Sequence, residues 1–234
     1  MSFTLACGNE PGRGADGGSD GVDSAVVQAS EPAASTATTS SDPAKVTVLF
    51  FGTSLTAGYG LDPSIAFPQL VAERAAAAGT PIVAVNAGLS GETSAGAVRR
   101  IDWVLRQPVD VVVLETGGND ALRALDADSL EANLRKLVAR VRALQPGARI
   151  LLATMEAPPN LGAAYTRRFR GAYSRVAESE GVTLVPFLLD GVAGRPELNQ
   201  ADGVHPNARG ERVVAENVWK ALGPIVREEH GSRN

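Results

Sequence analysis

Four well-separated stretches carry residues suited to acyl transfer. The run VTVLFFGTSLTAGYG, Val46 to Gly60, leaves a continuous apolar segment and presents the hydroxyl of Ser54 just beyond it. QADGVHPNARG supplies Asp202 and His205, three residues apart in a loop bounded by Gly203 and Pro206. At that spacing the carboxylate reaches back to the imidazole Nδ1–H and fixes the tautomer, so that Nε2 can take a proton from a serine. LETGGNDAL ends an apolar run on Gly117 and Gly118 and offers the side-chain amide of Asn119 to a developing oxyanion, a kind of donor worth ~10² to 10³ in kcat. NAGLSGETSAG adds a loop where the N–H of Gly91 is a second donor. Each stretch alone also has an ordinary reading. Thr53 and Ser54 can close a turn or cap a helix, Asp202 can cap beside a surface histidine, and Asp120 reads as the cap of the helix that follows it.

These residues need a scaffold that gathers distant loops. Strand patterns fall at Val46 to Phe51, Ile82 to Asn86, Val109 to Glu115, Arg149 to Thr154 and Val182 to Phe187, several of them continuously apolar, as strands covered on both faces are. Helical patterns lie near Ser64 to Ala78, Ser94 to Arg106, Ser129 to Leu144, Ala163 to Glu180 and Ala208 to Val226. Strand then helix, five times over, predicts an α/β fold: a five-stranded parallel sheet in a three-layer αβα sandwich with right-handed crossovers. Ligands of such sheets bind outside the carboxyl ends of the strands. Ser54, Gly91 and Asn119 each follow a strand, so the fold brings them to one edge. Leu55, Leu122, Leu125, Met155, Pro158 and Leu161 also follow strand ends, as rim for an acyl chain or as ordinary packing. Trp103 and Trp219 read as helix-to-sheet packing, and His230 as part of a frayed end spanning 229–234.

Composition removes several function classes. The chain has 234 residues and a formal charge of −4. Residues 1–44 hold six acids against Arg13, so the domain expected at 45–228 is close to neutral. With no run of Lys and Arg it lacks the footprint that phosphate-backbone binding needs, which argues against a nucleic-acid partner. One cysteine and two histidines are too few for an internal disulfide framework or an ordinary structural zinc site. No stretch reaches the ~20 apolar residues of a membrane span. The Gly- and Ser-rich, aromatic-poor segment 1–44 reads as a disordered tail. Within it, Ala6-Cys7 looks like the end of a lipoprotein signal, although only five residues separate Met1 from Cys7, short of the ~7 to 15 of an apolar signal region. The sharper reading is an upstream start codon and an exported, lipid-anchored protein; the plain one is a tail with an incidental cysteine and no export.

Gly52-Thr53-Ser54-Leu55, the Gly91 loop, Gly118-Asn119-Asp120 and Asp202-Gly203-Val204-His205 resemble, in order and spacing, the four blocks of the SGNH hydrolases, the GDSL lipase/esterase superfamily. The likeness covers about Lys45 to Val226. Ser90-Gly91-Glu92-Thr93 is similar to the bacterial branch of arylesterases, acyl-CoA thioesterases and lysophospholipases. The resemblance implies a flavodoxin-like SGNH fold and hydrolysis of short to medium acyl esters or thioesters without a cofactor. It implies Ser54 as nucleophile, His205 as base and Asp202 as its orienter, with Ser54 N–H, Gly91 N–H and the Asn119 amide as oxyanion donors. An imidazole base implies a rate that falls below a pH of roughly 6.5. Carbohydrate deacetylation or acyl transfer would use the same triad, and a flavin-binding module would fit the βα order but leave Asp202 and His205 idle. Thr53 departs from the family's usual Asp, which puts in question the hydrogen bonds that hold the nucleophile loop.

Overall fold

The computed structural model describes residues 45–233; the tail expected at 1–44 and the lipid anchor expected at Cys7 lie outside them. Five strands, β1 Val46–Gly52, β2 Ile82–Gly88, β3 Val111–Glu115, β4 Arg149–Ala153 and β5 Thr183–Val185, form one sheet in the order β2-β1-β3-β4-β5. Every neighbouring pair is parallel. The apolar runs explain the order. Val48 to Phe51, Val111 to Leu114 and Leu151 to Ala153 are essentially without solvent contact, so β1, β3 and β4 take the centre, and the more mixed β2 and β5 take the edges.

The helices are α1 Ser54–Ala57, α2 Phe67–Ala77, α3 Ser94–Val104, α4 Gly118–Leu122, α5 Ala127–Leu144, α6 Ala163–Glu180 and α7 Ala208–Gly231. α3, α5 and α6 pack side by side, as do α2 and α7. Right-handed crossovers put α2 on one face and α3, α5 and α6 on the other, because the chain turns toward β2 after β1 and the other way from β2 onward; α7, after the last strand, returns to the α2 face. The αβα sandwich is as the alternation predicts. The point where the strand order reverses, between the ends of β1 and β3, is where such sheets hold ligands.

Several local expectations shift. Trp103 is 65% exposed: Ala97 and Ile101 mark the buried face of α3, and a residue two positions on points away from it. Trp219 is buried beneath the Arg74 guanidinium. α7 runs to Gly231, beyond Val226, and His230 Nε2 lies 2.9 Å from the Pro81 carbonyl oxygen. Asp120 does not cap the next helix; Asp126 does, accepting from Ser129 N. Asp120 sits inside α4 and accepts from Ser94 N at 2.8 Å and Ser94 Oγ at 2.5 Å. It thus ties the start of α3 to the end of β3.

Candidate active site

Ser54 is the first residue of α1, one position past the Thr53 N-cap at the end of β1. Gly52 makes this turn possible, because a Cβ there would lie 2.0 Å from Thr56 Oγ1 and 2.5 Å from Glu115 Oε2. From the loop before α7, His205 Nε2 comes to 2.9 Å from Ser54 Oγ across 151 positions of sequence. His205 Nδ1 lies 2.7 Å from Asp202 Oδ2. A carboxylate only accepts, so Nδ1 carries the proton and the Nε2 lone pair faces the serine hydroxyl. Asp202 Oδ1 accepts from the backbone N–H groups of Val204, at 2.9 Å, and His205, at 3.0 Å. The His205 N–H, then the imidazole, then the Val204 N–H lower the Asp202 carboxyl to about 2. It is charged wherever a neutral imidazole can act.

The other two blocks arrive together. Gly91 has a φ of +78°, a conformation that favours glycine. Asn119 Nδ2 donates to the Glu92 carbonyl at 3.0 Å, which fastens the amide to the Gly91 loop and leaves its second N–H for another acceptor. Ser54, Gly91, Asn119 and His205 share one cavity of about 610 Å³. Its apolar side is made by Leu55, Leu122, Met155, Pro158, Phe187 and Leu189. Leu125 and Leu161, expected beside it, do not line it; the Leu125 carbonyl instead accepts from Tyr165 Oη.

Four side chains support this arrangement without having been singled out in the sequence. Glu115, fully buried at the end of β3, accepts from Thr53 N at 2.7 Å, Thr53 Oγ1 at 3.0 Å and Thr56 Oγ1 at 2.9 Å. The Thr53 hydroxyl therefore holds the Ser54 loop by donating to a carboxyl already there. Desolvation pushes the Glu115 carboxyl up, against those donors. An aspartate at position 53 would face a second carboxyl, and one of the two would need a proton. Arg100 pairs with Glu92 at 2.7 Å and donates to the carbonyls of Ala87 and Gly52, binding the Gly91 loop to the ends of β1 and β2. The Tyr59 ring lies against the His205 ring, centroids 4.7 Å apart. Gln200 Nε2 donates to the carbonyls of Tyr59 and Pro206, joining the serine and histidine loops. Only Glu115 left a trace in the sequence, as a charge ending the apolar run VVVLE. Among the described residues no cluster of His, Cys, Asp and Glu could hold a metal ion, and no helix is long and apolar enough to cross a membrane.

Residues 50–213 match the model of the GDSL-like Lipase/Acylhydrolase family. The chain belongs to that family. This GDSL-like acylhydrolase is 40% identical over 181 residues to the esterase TesA of Pseudomonas aeruginosa, covering 77% of this chain and 89% of that protein. It is 34% identical over 184 residues to the Thioesterase 1/protease 1/lysophospholipase L1 of Escherichia coli, covering 78% and 86%. A crystal structure of TesA superposes with a TM-score of 0.73 at 40% identity, over 76% of this chain and 99% of that one. Membership of an acylhydrolase family speaks against the flavin-binding alternative.

Proposed function

We propose that the protein is a serine hydrolase of carboxylic esters and thioesters of short to medium acyl chains, acting through an acyl-serine. The observation that carries this reading is the unbroken series Ser54 Oγ, His205 Nε2, His205 Nδ1, Asp202 Oδ2, with contacts of 2.9 and 2.7 Å, opening into an apolar cavity. His205 Nε2 takes the Ser54 proton as Oγ bonds to the carbonyl carbon, and the π pair moves onto the carbonyl oxygen. The N–H groups of Ser54, Gly91 and Asn119 Nδ2 receive that oxyanion. Its collapse expels the alcohol or thiol, which leaves with the proton held on Nε2. Water, deprotonated by the same imidazole, then attacks the acyl-serine and frees the acid and Ser54. The relatives named esterase and thioesterase support both leaving groups.

A fluorophosphonate probe followed by peptide mapping tests the nucleophile. Labelling is expected at Ser54 and absent from Ser54→Ala, which keeps the wild-type melting temperature and loses kcat by a factor on the order of 10⁶. A Ser54→Ala protein that still hydrolyses p-nitrophenyl butyrate at a tenth of the wild-type rate rules the assignment out.

A further inference from the structure

A second groove, of about 510 Å³, adjoins the catalytic cavity and shares Ser90 and Gly91 with it. The two have opposite chemistry. No Lys or Arg lines the catalytic cavity, whereas Arg99, Arg100 and Arg123 all line the groove, against one acid, Glu92. Glu92 is already matched: Arg100 holds both its oxygens at 2.7 to 3.1 Å. Arg99 and Arg123 are then uncompensated. Arg99 is exposed and makes no hydrogen bond or ion pair among the described residues. Arg123 spends one N–H on the Gly91 carbonyl, at 3.0 Å, and forms no ion pair among the described residues. That contact fixes its guanidinium beside the oxyanion loop, with its other donors open to the groove.

We propose that this groove is an anion subsite that receives a phosphate-bearing leaving group. The proposal rests on the ester hydrolase reading and adds to it where the two ends of an amphiphilic substrate go. The acyl chain lies along Met155, Pro158 and Leu189; the scissile carbonyl sits at Ser54 and Gly91; the phosphate lies between Arg99 and Arg123. Guanidinium forks match phosphoryl oxygens in pairs. Such a phosphate can belong to coenzyme A or to a lysophospholipid headgroup, and the groove's chemistry is the same for both.

The test compares wild type with Arg99→Glu on substrates that share one acyl chain. Octanoyl-coenzyme A is set against octanoyl-N-acetylcysteamine, and octanoyl lysophosphatidylcholine against monooctanoylglycerol, so one member of each pair carries a phosphate-bearing group and the other none. An exposed ion pair is worth up to about fivefold, and reversing the charge widens the swing. KM for a phosphate-bearing substrate is therefore expected to rise about three- to tenfold, with kcat and both phosphate-free substrates unchanged within about twofold. Raising salt from about 50 to about 500 mM should reproduce that rise in the wild type. Whichever pair responds identifies the source of the phosphate. Calorimetry with inorganic pyrophosphate reads the groove without turnover, so binding that weakens in Arg99→Glu upholds the subsite even if no ester is hydrolysed. Equal effects on both members of each pair would mean that Arg99 merely assists the oxyanion. That result, or no effect on either kinetics or pyrophosphate binding, overturns the proposal.

Discussion

Asp202→Asn is the substitution whose cost the geometry sets most directly. The aspartate uses both oxygens: Oδ1 takes the N–H groups of Val204 and His205, and Oδ2 takes the imidazole Nδ1–H. Asparagine has one acceptor oxygen and must choose. If it stays on the two backbone N–H groups, its NH₂ faces Nδ1, the ring proton moves to Nε2, and the base toward Ser54 is lost. Flipped, it keeps the useful tautomer but sets NH₂ against two N–H donors. Two extra hydrogen bonds, at about 0.7 kcal/mol each in so exposed a loop, favour the first arrangement and leave roughly a tenth of molecules competent.

The variant also loses the charge that faces the imidazolium formed in the transition state. At about 4 Å and an effective dielectric of about 20 that attraction is about 4 kcal/mol. The Asp202 side chain is 41% exposed, and screening by solvent reduces it to about 2 kcal/mol. Together the two effects come to roughly 3 kcal/mol, a fall in kcat of about 10² to 10³ with little change in KM. A buried triad aspartate is worth ~10⁴, so exposure makes this one weaker. Steady-state hydrolysis of p-nitrophenyl butyrate, with circular dichroism to establish folding, measures it. A fall of less than tenfold would refute the tautomer argument, and one of 10⁴ or more the screening argument.

Two further predictions concern buried carboxyls. Glu211, on α7, accepts from Phe67 N, the first residue of α2, at 2.8 Å, and desolvation raises its carboxyl to about 8 from an ordinary 4.5. A raised folded value means stability that is full below about 4.5 and is lost as pH rises through about 8, so wild type should weaken relative to Glu211→Gln by about 4 kcal/mol between pH 5 and 9; parallel urea stabilities across that range would remove the buried-charge explanation. Glu115→Gln can keep the loop network, its oxygen in the Oε2 place accepting from Thr53 N and Thr56 Oγ1 and its NH₂ in the Oε1 place donating to Thr53 Oγ1, so kcat should stay within about threefold and Tm should hold at alkaline pH. Glu115→Leu orphans the Thr53 N–H and both hydroxyls, at a cost of about 3 kcal/mol or more, and a Leu variant as stable as wild type would show that water replaces the carboxylate.

The layers of the fold could be read from the chain because their cause is local: an apolar run such as Val111 to Leu114 has no alternative to burial on both faces, and the five helical patterns alternate with such runs. The residues proposed for the chemistry stand out for a related reason. Ser54, Gly91, Asn119, Asp202 and His205 are small or polar residues placed where strands or helices begin and end, and their types limit what they can do. Tertiary structure alone decided the supports. Glu115 stood out only as a strand end, and nothing marked Arg100, Gln200 or Tyr59, before the fold brought them against Thr53, the Gly91 loop and His205. Asp120 likewise had its capping partner at Ser94, 26 residues back, rather than on the helix ahead. Periodicity records which face of an element is buried, but a hydrogen bond between distant loops depends on where the backbone returns, and one short stretch of sequence carries no trace of that.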